Sequence, residues 1–218
     1  MLLWRRLGIG IAIFFIAACS SHTPAPAVFA SGYISDRGIV RLWRKDDAQR
    51  DTVRLIAVYN PFQGGGTVVT RYWYQQGGLR EIKRSREDQK DDTQIRFAEG
   101  GAVSFMQRQL AARREPISDE DLAFYQWDAQ RVRELSDVLQ AGNVTLKQGT
   151  LRDDQITACD GSRISPDFDR SSQDWIAQRR AQLTGPLSIA WLEASEGTQL
   201  LLVDRGDFCR WEAEANRL

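Results

Sequence analysis

The sequence predicts an α+β fold: an N-terminal antiparallel β-meander packed by one long amphipathic helix, followed by a small, disulfide-closed, β-rich subdomain. Three observations carry the prediction. From Ser31 to about Arg113, short apolar or alternating runs are punctuated by glycine. From Ser118 to Gln140, apolar residues recur at three- and four-residue steps. Beyond Gly142, strand-like runs return, with cysteines at positions 159 and 209. Alternation marks a half-buried strand, and a 3.6-residue period marks a helix with one apolar face.

The meander is read as strands at Ser31 to Ser35, Ile39 to Lys45, Thr52 to Tyr59, Thr67 to Gln75, Leu79 to Ser85, Gln94 to Ala98 and Val103 to Ala111. Asp36-Arg37-Gly38, Gly64-Gly65-Gly66, Gly77-Gly78 and Glu99-Gly100-Gly101 supply the turns, because glycine reaches the positive φ that tight hairpins require. Sequential pairing follows. Gly64-Gly65-Gly66 superficially resembles a phosphate loop, but no Gly-Lys-Ser/Thr follows and it joins strand to strand, so it reads as a hairpin. Phe62 and Trp73 read as core or cross-strand aromatics, with an exposed aromatic surface as the alternative.

Pro116 ends the strand pattern. Ser118-Asp119-Glu120-Asp121 then opens a helix with a hydroxyl N-cap and first-turn acids that suit the helix dipole. Leu122, Tyr125, Ala129, Val132, Leu135 and Leu139 form its apolar stripe, and Gly142 with Asn143 stops it. Such a stripe needs a partner, and the meander offers the nearest apolar sheet face. Strands follow at Val144 to Gly149 and Gln155 to Cys159, a short helix at Ser171 to Leu183, and strands at Leu187 to Glu193, Gln199 to Asp204 and Phe208 to Glu212. Two arrangements suit this order: a small barrel of the oligonucleotide-binding type, or an α+β subdomain of no named fold.

The N-terminus has the layout of a signal peptide over residues 1–18: Arg5-Arg6, then an uncharged run from Leu7 to Ala18. That run falls well short of the ~20 residues of a membrane-spanning helix. Ile16-Ala17-Ala18-Cys19 looks like a lipobox, which makes Cys19 the lipidated first residue of the mature chain; an ordinary secretory signal with an incidental cysteine is the alternative. Ser20 stands where an aspartate marks inner-membrane retention in bacterial lipoproteins, so similarity to that class implies an outer-membrane anchor facing the periplasm. Residues 19–30, with Thr23-Pro24-Ala25-Pro26-Ala27 at their centre, read as a flexible tether.

Charge and residue types narrow the chemistry. The 29 basic and 29 acidic residues balance, which argues against a nucleic-acid partner. His22, the one histidine, lies in the tether, so Ser-His and Cys-His nucleophile pairs and histidine-rich metal sites are not expected. With Cys19 lipidated, Cys159 and Cys209 form an even pair in an oxidising compartment and read as a structural disulfide, with a redox pair or two metal ligands as the alternatives; their wide spacing lacks Cys-x-x-Cys logic. Asp119, Glu120 and Asp121 are explained by capping and Asp153-Asp154 by a turn, which leaves Glu193 and Glu196 flanking a hairpin. Arg80 to Asp92 mixes both signs of charge and reads as a solvated hairpin, with lipid headgroups as the alternative contact of its basic side. No catalytic residue, cofactor site or metal site is predicted.

Several runs carry a resemblance: Ala30-Ser31-Gly32-Tyr33 with Arg37-Gly38; Val103-Ser104-Phe105-Met106-Gln107-Arg108; Phe124-Tyr125-Gln126-Trp127-Asp128-Ala129-Gln130-Arg131; and Ala190-Trp191-Leu192-Glu193-Ala194 before Gly197-Thr198-Gln199-Leu200. Together they resemble the YjaH-like lipoproteins of enterobacteria, a family without an assigned function. The resemblance implies a lipoprotein address and no catalytic residues. Two functions suit the sequence: a noncatalytic envelope module binding a protein, lipid or glycan through its β face, or a small envelope hydrolase using carboxylates. A carboxylate cluster in a cleft would favour the enzyme, and an exposed apolar or aromatic patch would favour binding.

Overall fold

The computed structural model describes residues 28–218; the signal peptide, Cys19, His22 and most of the tether predicted above lie outside the described residues. The meander forms β1 (Phe29–Ser35), β2 (Gly38–Asp47), β3 (Thr52–Pro61), β4 (Val68–Gln75), β5 (Gly78–Arg86), β6 (Asp91–Phe97), β7 (Val103–Leu110) and the two-residue β8 (Arg114–Glu115). These eight strands pair antiparallel in sequence order. Gln76 and Gly77 both take positive φ, 51° and 73°, in the β4–β5 turn, the geometry that matches the twist of the flanking strands.

Helix α1 (Asp119–Ala141) follows. Ser118 Oγ accepts the Asp121 amide at 3.1 Å, as the capping sequence predicts. At the other end Asn143, at φ 50°, takes the left-handed position while Gly142 stays right-handed; the Val144 amide then reaches back to the Leu139 carbonyl at 3.0 Å.

The second sheet contains β9 (Thr145–Arg152), β10 (Gln155–Ala158), β11 (Arg163–Ile164), β12 (Leu187–Ala194) and β13 (Gly197–Asp204), with α2 (Arg170–Gln182) between β11 and β12. Its order is β11-β10-β9-β12-β13, so β11 and β13 are free edges and the sheet is open, not closed into an oligonucleotide-binding-type barrel. Asp153 and Asp154, at φ 45° and 65°, make the β9–β10 turn. The expected last strand at Phe208 to Glu212 is not one. The chain forms helix α3 (Arg210–Ala215) there, because Phe208, Trp211 and Ala215 bury at three- and four-residue steps, which a strand cannot aim at one core.

Four layers result. On one face of the first sheet, Val40, Leu42, Leu55, Tyr72, Tyr74, Ile82 and Ile95 meet Ala129 and Val132 of α1. On its other face, Ile39, Trp43, Ile56, Val58 and Val69 pack with Leu146, Ala190, Leu192 and Leu201 of the second sheet and with Phe208, Trp211 and Ala215. The outer face of the second sheet, through Leu151, Ile156, Leu187, Ile189, Trp191 and Val203, holds Ile176 and Leu183 at α2. The sequence pattern follows this layering. β2 is covered on both sides and buries seven successive residues from Gly38 to Arg44, whereas β6, covered on one side, alternates strictly.

The disulfide is present: Cys159 and Cys209 are bonded with Cα atoms 5.3 Å apart. It ties the end of β10 to the start of α3. The mixed-charge hairpin is solvated only in part: Lys83 pairs with Glu81, Arg86 with Asp88 and Glu87 with Arg210, whereas Asp91 is buried under Arg108 and Arg84 lies on the helix side of the sheet. Trp73 is a cross-strand residue opposite Arg54 and Glu81, and Phe62 is exposed.

Candidate binding cleft

Helix α1 does not seal the sheet along its whole length. Under its N-terminal half lies a cleft of about 220 Å³. Strands β2, β3 and β4 form the floor through Val40, Ala57, Val68 and Thr70; Tyr33, Tyr59 and Tyr72 stand around it; Phe124, Asp128, Arg131 and Val132 hang from the helix, and Arg84 of β5 closes one side. Phe124, Asp128 and Val132 share one face because they stand four positions apart, and Arg131, three after Asp128, flanks it. Alternation along the strands does the same for the floor.

The helix is fixed over this space by polar bonds to the sheet. Tyr72 donates its hydroxyl to Asp128 Oδ2 at 2.6 Å and Tyr74 donates to the Ala129 carbonyl at 2.7 Å. Arg44 donates to Ser136 Oγ at 2.9 Å and pairs with Asp137, and Arg133 donates to the Gly77 carbonyl at 2.6 Å. Burial and the Asp128 charge push the Tyr72 phenol well above its ordinary range. Burial likewise raises Tyr74. Both remain neutral donors at any physiological pH.

Arg131 spans the mouth. Its Nη2 donates to Asp128 Oδ1 at 2.8 Å, and its guanidinium lies 5.9 Å from the Tyr33 ring centre and 5.3 Å from that of Trp127. Burial works to lower its pKa, but the bond to Asp128 and the facing charges hold it above the ordinary arginine value. Burial raises the Tyr33 phenol, with the Arg131 charge opposing. Outside the mouth, Phe124 and Trp127 form an aromatic ledge: they are 55% and 57% exposed and their ring centres are 5.9 Å apart. These adjacent exposed rings are a candidate contact surface.

The cleft offers rings and two guanidinium groups, the Tyr59 and Tyr72 hydroxyls donate within the fold, and its carboxylate, Asp128, is held between Tyr72 and Arg131. That composition suits holding a ligand. Elsewhere, among the described residues, no group of three His, Cys, Asp or Glu side chains is placed to hold a metal ion. Glu193 accepts the Trp191 indole N–H at 2.9 Å, so it braces the second sheet.

The residues named from sequence fall away from this cleft. Cys19 lies outside the described residues, and Cys159 and Cys209 sit at the far sheet beside α3. The sequence reading missed Tyr33, Arg84, Phe124, Asp128 and Arg131 as a group. One signal was available: Phe124 and Trp127 fall off the apolar stripe of Leu122, Tyr125, Ala129 and Val132, so α1 carries more aromatic surface than its core contact uses.

A second polar feature lies between the two sheets. Arg41 is 1% exposed; it donates to Gln148 Oε1 at 2.8 Å and to Asn60 Oδ1 at 3.1 Å and stacks on Phe208 at 4.2 Å. Its hydrogen-bond partners are neutral, and burial pulls its pKa down to about 9. It is a cation held inside a core by amide dipoles and a ring face.

Residues 30–214 match the family described as "Protein of unknown function (DUF1481)". The chain is also 36% identical over 212 residues to "Uncharacterized protein YjaH" of Escherichia coli (strain K12), an alignment covering 96% of this chain and 91% of that protein. No solved structure matches the chain. With the family match spanning both sheets and all of α1, the chain belongs to the DUF1481 family of proteins of unknown function.

Proposed function

We propose that this chain is a periplasmic lipoprotein, anchored in the outer membrane through Cys19, that acts as a noncatalytic binding module with the cleft under α1 as its binding site. The observation that carries the binding role is the aromatic ledge of Phe124 and Trp127 at the mouth of a cleft lined by three tyrosines and two arginines. The lipobox at Ile16 to Cys19 and the proline-bearing tether after it support the anchor, and the bridged cysteines suit an oxidising compartment. Several acyl chains on one cysteine would supply the stable anchoring that a single chain does not. The partner is an envelope protein, lipid or glycan.

Two arms test this. Fractionation and intact mass examine the anchor: a lipid-modified chain beginning at Cys19 in outer membranes is expected, with a soluble Cys19→Ser variant. A photoreactive phenylalanine at Trp127, compared with one at Val138, examines the cleft. Both positions are exposed on α1, but only Trp127 borders the mouth. A specific envelope adduct from position 127 and none from 138 is expected; equal labelling at both would remove the cleft from the account.

A further inference from the structure

We infer that the cleft selects a small amphiphile with a single anionic head, carboxylate or phosphate, on an apolar body no larger than one ring or a short acyl chain. This rests on the cleft being the binding site and adds the chemistry of what enters it.

The head follows from a positive charge that the fold leaves unpaired. Tyr33 and Arg131 both line the cleft, and the Arg131 guanidinium is already engaged there by Asp128 and by the Tyr33 side chain. Arg84 lines it as well and, among the described residues, makes no ion pair. The acid that most clearly feels the Arg84 charge is Asp91, and both Asp91 oxygens accept from Arg108, at 2.9 and 2.8 Å. Inside the cleft Asp128 offsets one of the two guanidinium groups, so the lining carries an excess of one positive charge. The unpaired charge is that of Arg84, whose guanidinium can only donate, so the group that pairs with it is an anionic acceptor.

The body follows from size and lining. A cavity of about 150 Å³ holds a benzene, so the 220 Å³ here holds a ring or short chain together with a small head group. Val40, Ala57, Val68 and Val132 supply the apolar floor and roof, and Phe124 overlaps the opening.

Calorimetric titration of the full mature chain carrying Cys19→Ser tests this with four probes of matched length: octanoate, octyl phosphate, octanol and octylamine. Saturable binding of octanoate or octyl phosphate is expected, at least tenfold tighter than octanol and with no octylamine binding. The stronger of the two identifies the head. Arg84→Gln should weaken anion binding about tenfold and flatten its salt dependence, and Tyr33→Phe should weaken it less. Arg80→Gln, a change at a residue whose charge faces Glu99 away from the lining, should leave it intact. Octanol binding as tightly as octanoate, or Arg84→Gln without effect in a variant that melts like the parent, would overturn the anion claim. If neutral probes bind and position 127 still crosslinks, the cleft reading stands and this inference falls. If no probe binds and no crosslink forms, both fall.

Discussion

Val132 provides the sharpest test of how α1 is held. It is 2% exposed, one of two buried apolar side chains on the helix, and it packs into the core face of the first sheet while forming part of the cleft roof. Val132→Ala removes two methyl carbons, a loss of about 1.6 kcal/mol at ~0.8 kcal/mol each. The void that remains adds of order 1 kcal/mol, since the rigid strands below cannot close over it fully. The expected destabilisation is about 2–3 kcal/mol, which for a chain of this size lowers the melting temperature by about 5–10 °C. Val132→Asp should cost more than Val132→Ala, because it loses the same methyl groups and desolvates a carboxylate that Arg84 across the cleft only partly offsets. Val138, six positions on and 68% exposed, is the control: Val138→Asp should change stability by less than about 0.5 kcal/mol. Urea unfolding followed by circular dichroism measures all three. If Val132→Ala and Val138→Asp shift the midpoint equally, α1 is not packed as described.

Three further outcomes follow from the same geometry. Cys159→Ser opens a loop whose ends are 50 positions apart and should lower stability by roughly 4 kcal/mol on the chain-entropy account; thiol counting on denatured, unreduced native protein should find Cys159 and Cys209 oxidised. Asp91 is buried under two hydrogen bonds from Arg108, which hold its carboxyl below the ordinary value of 3.8 against the opposing effect of burial. Its contribution is therefore complete above about pH 4 and fades as pH falls through the lower folded value, so Asp91→Asn should cost about 1.5–3 kcal/mol at pH 7 and progressively less in acid-unfolding experiments below pH 4. Arg41→Ala leaves a void and the Gln148 and Asn60 oxygens unbonded, whereas Arg41→Met fills the volume and removes a buried cation that has no carboxylate beside it; the methionine variant should be the more stable by at least ~1 kcal/mol in thermal melts.

How far the fold could be read from the chain depended on range. The seven longer meander strands were legible because Gly77, Gly101 and their neighbours mark turns and the runs between them keep strand periodicity. Helix α1 was legible from Ser118 and the Leu122 to Leu139 stripe. The pairs β8 and β11 were not, since two residues carry no period. Phe208 to Glu212 misled because a short apolar run suits either structure, and the pairing of Phe208 with Trp211 that decides for a helix needs a core on one side. The stacking of the sheets depends on contacts such as Trp43 with Leu146, far apart in sequence. The cleft was illegible for a related reason. Tyr33, Arg84 and Arg131 come from three elements, and Arg84 sits among charges that otherwise pair on the surface, so nothing local separates it from its neighbours.

Hydrogen exchange on the purified mature chain, with and without detergent-free envelope extract, tests most directly that the cleft under α1 is where this protein binds. Added protection is predicted in the segment from Leu122 to Val132 and in β1 and β4, with the second sheet and α2 unchanged. Protection on the second sheet with none on α1, or no protection anywhere with an extract that saturates the crosslink at position 127, would contradict it.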